Sequence, residues 1–263
     1  MRSEQFTPMT GRLAGRIALI TGVSRRKGIG FAIAREIAGL GADLFLHSFS
    51  AYDALQPWGA DRVPELIGEL KQGGARIEHV DLDLQLPEAP EQLFTSAVKA
   101  FGHIDILVVN HAYGRVGQLQ DLTASELDCH LQVNVRASLL LTKAFAAQHD
   151  GRPGGRVIFL ISGQHLAAMP GEIAYAASKG ALHQITLSLS AHLARRGITV
   201  NAVNPGATDT GYASPGLKAE VLAAEPQGRW GMPEDAARLI GWLATDAAQW
   251  ITGQMINSTG GGP

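Results

Sequence analysis

The sequence predicts an α/β fold: a doubly wound, seven-stranded parallel sheet with helices on both faces. Three observations carry this. Short runs rich in Val, Ile and Leu alternate with longer amphipathic segments along the chain. A strand-like run, Ile17 to Ile20, opens directly into Thr21-Gly22-Val23-Ser24-Arg25-Arg26-Lys27-Gly28-Ile29-Gly30. Past the middle, Tyr175 and Lys179 stand four residues apart, thirteen residues after Ser162.

Strands are expected at Ile17–Thr21, Asp43–Ser48, Arg76–Val80, Ile104–Asn110, Arg156–Ser162, Thr199–Val203 and Gln254–Asn257. Helices are expected near 29–40, 61–73, 88–101, 123–148, 173–196 and 233–246. Crossovers of this length are right-handed. Thr123 followed by Glu126 reads as a capping box opening the helix 123–148. Pro233 with Glu234 and Asp235 reads as another helix start. The segment Tyr52–Pro64, with Trp58 and two prolines, reads as an irregular surface loop, with an adenosine cover and a subunit contact as alternatives. No repeat, low-complexity tract or linker divides the chain, so one domain is expected over residues 15–263, after a loose lead-in at 1–14.

At 263 residues, 46% hydrophobic and 17% charged, the chain is long and apolar enough for a large core. A net charge of −2 gives no electrostatic case for nucleic acid or an anionic membrane. The lone Cys129 excludes an intrachain disulfide and fits a reducing compartment. There is no apolar run of membrane-spanning length and no signal-peptide core at the N-terminus, so a cytoplasmic location is expected. His111, His165 and His183 lack ligand spacing with carboxylates, and no metal is expected.

Gly22, Gly28 and Gly30 lie between a strand and a helix, where glycine permits a tight turn and close backbone approach to a pyrophosphate. The N–H groups of the helix that follows, from Ile29, would point at the phosphates. The second strand ends Leu46-His47-Ser48-Phe49-Ser50, with no acid at its tip to bind the ribose 2′-hydroxyl of NAD. Arg25, Arg26 and Lys27 fill the loop instead. A 2′-phosphate needs positive charge, so NADP(H) is the expected cofactor, whichever cation reaches it.

Together these residues resemble the short-chain dehydrogenase/reductase family, over about residues 13–261. The landmarks come in order: the Thr21-Gly22 loop, Asp83-Leu84, Asn110-His111-Ala112, Asn134, Ser162, Tyr175 with Lys179, Asn204-Pro205-Gly206 with Thr210, and Thr252-Gly253. Within the family the chain most resembles 3-oxoacyl-acyl-carrier-protein reductase-like members. The resemblance implies a single-domain Rossmann fold and a homotetramer or homodimer. Two departures stand out. Five residues separate Gly22 from Gly28 where the family has three, and Tyr113 replaces the glycine of the Asn-Asn-Ala-Gly motif.

Tyr175 and Lys179 share one helix face. A free tyrosine has a pKa near ~10, and a nearby ammonium is expected to lower it. In carbonyl reduction Tyr175 would donate its proton to the forming alkoxide, and Ser162 would hydrogen-bond the same oxygen. The resemblance further implies that Lys179 holds the nicotinamide ribose and that Asn134 anchors a water joining Lys179 to solvent. It places Pro205, Gly206 and Thr210 at the carboxamide, with Thr208 as a stand-in for Thr210. Ser24 and Ser48 are further candidates for cofactor binding, and the resemblance places Asn110 and Ala112 by the adenine ribose and Asp83 and Leu84 beside adenine. The repeat Asp81-Leu82-Asp83-Leu84 leaves that register open by two. Tyr113, Gln164, His165 and Tyr212 are the candidates for the substrate side, with residues Ala207–Trp230 closing over it.

The expected activity is NADPH-dependent reduction of a small-molecule carbonyl, such as a 3-oxoacyl thioester or related ketone. The alternatives are an NAD-dependent alcohol or sugar dehydrogenase, and a nucleotide-sensing protein without activity.

Overall fold

The computed structural model describes residues 11–262. Residues 1–10 of the expected lead-in lie outside this range. Of the remainder, Leu13 is buried in the core and its N–H bonds the carbonyl of Leu40.

The chain alternates β1 (Ile17–Ile20), α1 (Ile29–Gly39), β2 (Asp43–Ser48), α2 (Ser50–Ala54), α3 (Val63–Lys71), β3 (Ile77–Asp81), α4 (Ala89–Phe101) and β4 (Ile106–Val109). There follow α5 (Ala124–His130), a π-helical stretch (Leu131–Ala137), α6 (Ser138–Gln148), β5 (Gly155–Leu160), α7 (Ile173–Leu193), β6 (Ile198–Asn204), α8 (Pro215–Ala224), α9 (Pro233–Ala244) and β7 (Met255–Asn257). The sheet order is β3-β2-β1-β4-β5-β6-β7, every pair parallel.

The period of two along each strand divides the core into two layers. Ile106 and Val108 of β4 face one layer with Phe31, Ile33, Ile37 and Ile240. Leu107 and Val109 face the other with Phe94, Leu141, Phe145 and Leu182. Residues of β4, β5 and β6 are buried throughout, the signature of a sheet covered on both faces. β1 lies between β2 and β4, so the strand order reverses there and opens a crevice at the carboxyl edge.

Several expectations change. The single helix at 123–148 is three segments, and the π-helical turn carries Asn134. Thr123 Oγ1 accepts from the N–H of Glu126 at 3.1 Å, but the Glu126 carboxylate turns to Arg115 rather than closing the box. The segment after β2 begins with α2 and is irregular only from Leu55 to Arg62. β3 ends at Asp81, so Asp83 lies beyond it, in a turn where its Oδ1 accepts from the N–H of Gln85 at 2.8 Å. Among the described residues no helix is long and apolar enough to cross a membrane.

Candidate active site

The first half of the carboxyl edge is the glycine loop. Gly22 has φ +73°, and a Cβ there would lie 2.9 Å from both Asn110 Nδ2 and His111 Cα. A Cβ on Gly30 would lie 2.2 Å from the carbonyl oxygen of Gly22. Only glycine fits either place, so the backbone of the loop packs against the start of α1. The N-cap of α1, Gly28, has no side chain to bond the first-turn N–H groups. Asn110 fixes the loop from β4, donating through Nδ2 to the carbonyls of Thr21 (2.9 Å) and Gly22 (3.0 Å). This backbone cradle with uncapped donors fits a dinucleotide pyrophosphate. Ala112 is exposed just beyond it, while Leu84 is buried in the core.

The cations of the loop are differently placed. Arg26 bonds Glu69 and Asp61 on the surface. The Arg25 guanidinium lies 5.2 Å from the Trp58 ring centroid and donates to the carbonyl of Thr210 at 2.6 Å. Lys27 makes no ion pair among the described residues. Ser24 donates to the buried carboxylate of Asp53, which also takes the Trp58 Nε1 hydrogen at 3.0 Å. The tip of β2 is not without an acid in space. Ser48 Oγ donates to Asp81 Oδ2 at 2.7 Å, and Ser50 adds its N–H (3.0 Å) and hydroxyl (2.6 Å) to the same oxygen. Parallel register sets Asp81 opposite Ser48, which a one-strand reading does not reveal.

The second half lies at the ends of β4, β5 and β6. Asn134 is fully buried and fully bonded. Its Oδ1 accepts from the N–H of Tyr113 (2.7 Å), and its Nδ2 donates to the Tyr113 carbonyl and to Ser178 Oγ, both at 2.9 Å. The π-helical turn gives that amide its direction. Lys179 is 2% exposed, donates to the carbonyl of Leu160 at 2.8 Å, and lies 5.6 Å from the centroid of the Tyr175 ring. Burial lowers its pKa to about 8.

Burial pushes the Tyr175 phenol well above the ordinary range; the Glu172 carboxylate adds to this, and a hydrogen bond with Ser162 opposes it. The expected lowering by Lys179 does not occur, because removal from water and a neighbouring anion both disfavour the phenolate. Tyr175 is therefore held protonated.

Of the substrate-side candidates, Tyr113 borders the neighbours of Tyr175: its ring centroid is 4.8 Å from His130, which is 6.4 Å from Tyr175. Burial first, then Glu126, raise the Tyr113 phenol to about 12. Gln164 Oε1 accepts from the N–H of Ser162 at 3.2 Å, leaving its buried Nε2 unpartnered among the described residues. His165 turns to the end of β7, with Nε2 3.1 Å from Asn257 Oδ1 and its ring 4.8 Å from His183. Tyr212 lies against Trp230 at 6.3 Å. The Thr208 hydroxyl is buried and turned back on Pro205 and Gly206 carbonyls, so it is poorly placed to replace Thr210. The sequence reading offered Asp81 only as the other register of the Asp81-Leu82-Asp83-Leu84 repeat, and it missed Glu172, His130 and Tyr52. Only Glu172, three residues before Tyr175, had a local signal.

A glycine cradle at the switch point of a doubly wound sheet, beside a tyrosine and a buried lysine one helical turn apart, defines the class as an oxidoreductase built on a nucleotide-binding fold. A family profile described as Enoyl-(Acyl carrier protein) reductase matches residues 22–262. The uncharacterized oxidoreductase YjdA of Bacillus subtilis (strain 168) is 40% identical over 248 residues, 94% of this chain and 96% of that protein. The short-chain dehydrogenase/reductase from Serratia marcescens BCRC 10948 superposes with a TM-score of 0.85 at 31% identity, covering 95% of this chain and 98% of that one. The angucycline C-6 ketoreductase LanV with bound NADP gives a TM-score of 0.85 at 33% identity, covering 96% and 97%. The chain belongs to the short-chain dehydrogenase/reductase family.

Proposed function

We propose that this protein is an NADPH-dependent carbonyl reductase in which Tyr175 is the proton donor. The observation that carries the reading is the protonated Tyr175 phenol, hydrogen-bonded with Ser162 at the carboxyl edge beside the glycine cradle. Tyr175 gives its proton to the substrate oxygen as the carbonyl becomes an alcohol. Ser162 holds that oxygen and stabilises the charge developing on it. Lys179, nearly dry and bonded to Leu160, sits one turn below the phenol, where it would hold the nicotinamide ribose. Asn134 positions the Tyr113 backbone beside it.

NADPH, when bound, supplies the hydride. Its pyrophosphate would rest on the Gly22–Gly30 cradle, its adenosine phosphate by Lys27 and Arg25, and its carboxamide by Pro205, Gly206 and Thr210. LanV, with its bound NADP, supports this choice. The substrate is a ketone, with 3-oxoacyl thioesters among the candidates, and the active form is a homodimer or homotetramer, which light scattering would measure.

NADPH oxidation is followed by absorbance with acetoacetyl thioester and a panel of ketones, aldehydes and quinones. Tyr175→Phe should lower turnover about 10³-fold with NADPH affinity within about twofold. Equal turnover in wild type and variant would overturn the proton-donor role. One observation favours NAD use in alcohol or sugar oxidation instead: Asp81 reaches the tip of β2. Dissociation constants for NADPH and NADH separate the two, and tighter NADH binding would carry the second.

A further inference from the structure

The chain has four tyrosines, and all four gather at this site. After burial and Glu172, Tyr212 and Tyr52 lie near enough to add to the rise of the Tyr175 phenol. The ring centroids of Tyr52 and Tyr113 are 5.8 Å apart, and Tyr113 meets His130 edge to face at 4.8 Å. Tyr212 meets Trp230 edge to face at 6.3 Å. Topology sets these groups on two sides. β5, which ends just before Ser162, lies between β4 and β6, so Tyr113 leaving β4 and Tyr212 leaving β6 flank the reacting position from opposite directions. Ring faces and edges on both flanks suit a planar π system. An aliphatic acyl chain would call for Leu, Ile and Val walls.

One carboxylate close to Tyr175 in the chain has no protein partner among the described residues. Glu172 is half-buried at the N-cap of α7, held there by backbone pairing of Gly171, Glu172 and Ile173 with Gly117. Its carboxylate accepts no hydrogen bond and makes no ion pair among the described residues. Yet its charge acts on Tyr175 and Tyr212, and that of His130 acts on it in turn. His130 is itself fully buried, with Nδ1 2.9 Å from the carbonyl of Glu126 and Nε2 without a partner among the described residues. Since a carbonyl can only accept, Nδ1 carries a hydrogen in that bond. Glu172 is only half-buried, so water reaches its carboxylate in the free protein, and a ligand hydroxyl can take the water's place.

We infer that Glu172 is a specificity-determining residue that accepts a hydrogen bond from a substrate hydroxyl, and that the substrate is a planar aromatic ketone bearing that hydroxyl. The inference rests on the reductase reading above and names its substrate class. Hydroxyl and carbonyl belong to one rigid ring system, so the contact at Glu172 fixes which carbonyl lies against Tyr175 and Ser162.

The test uses the full chain with saturating NADPH and three probes: a tetralone hydroxylated on its aromatic ring, the parent tetralone, and acetoacetyl thioester. Wild type should favour the hydroxylated ketone over its parent by at least about tenfold in kcat/KM, and Glu172→Gln should reduce that ratio to about twofold or less. A purely structural role would slow both ketones equally and leave the ratio where it was. An unchanged ratio, or a preference for acetoacetyl thioester over both ketones, overturns this inference while the reductase reading stands. Absence of Tyr175-dependent turnover on every probe overturns the reductase reading. Glu172 is then judged by calorimetric binding of the two ketones to the enzyme with NADPH, and equal binding overturns its role.

Discussion

The two halves of the carboxyl edge treat their polar groups in opposite ways. In the nucleotide half, charges are mostly paired: Arg26 with Glu69, Ser24 and Trp58 on Asp53, Ser48 and Ser50 on Asp81. In the half that holds Tyr175, Lys179 hydrogen-bonds only a backbone carbonyl among the described residues and lies over the Tyr175 ring, and Glu172 has no bonded partner among them. Paired charges hold a loop in shape and shift toward their charged forms, as Asp81 and Arg26 do. Desolvated groups without a counter-charge shift far, as Tyr175 and Lys179 do, and such shifts prepare a group for proton transfer. One half is arranged to present backbone; the other holds the groups proposed to move a proton.

The sharpest break in that contrast comes at Asn134, whose one amide bonds three catalytic-half groups. Asn134→Ala leaves the N–H and carbonyl of Tyr113 and the Ser178 hydroxyl without it. At about 1–3 kcal/mol for each buried group left unpaired, the loss should be on the order of 4 kcal/mol in urea unfolding. A loss below about 1 kcal/mol would show that water replaces the amide.

Next in size is an acid limb at the seam between the halves. Burial lowers the pKa of His47 to about 4 and of His111 to about 3, and both imidazoles are neutral in the fold. The unfolded chain takes up these protons near ~6.5, so it binds more protons than the fold between that pH and about 3 to 4. Stability is then fully present above pH ~6.5 and declines as pH falls through this window. His111 also holds Thr21 Oγ1 through Nδ1 at 2.8 Å. In His111→Asn the urea midpoint should fall less steeply between pH ~6.5 and 4; identical slopes would contradict the assignment.

The smallest effects separate the loop cations. Lys27→Ala should raise the dissociation constant for NADPH about tenfold, as for loss of a charge on phosphate. Arg26→Ala, which breaks an exposed pair with Glu69, should change it less than about threefold. The reverse order, measured by fluorescence titration, would mean that Arg26 leaves Glu69 to meet the cofactor.

Each strand was legible in the sequence to within a few residues, β1 and β4 most directly, because a strand covered on both faces reads as an unbroken apolar run whatever lies beside it. The Gly22–Gly30 loop was legible because positions that admit no Cβ leave glycine in the chain, and Tyr175 with Lys179 because a spacing of four is a local property of a helix. The contacts that set chemistry were not legible. That Asp81 faces Ser48 depends on the register between two strands. That Asn134 sits in a π-helical turn depends on the Tyr113 backbone packed against it. That Tyr175 is held protonated depends on burial and on Glu172, not on the lysine its spacing points to. Sequence by itself determined which residues can be apolar, turn or share a face, since those are properties of neighbours along the chain. Only the tertiary structure decided acidity and pairing, since both depend on which distant groups exclude water from a side chain.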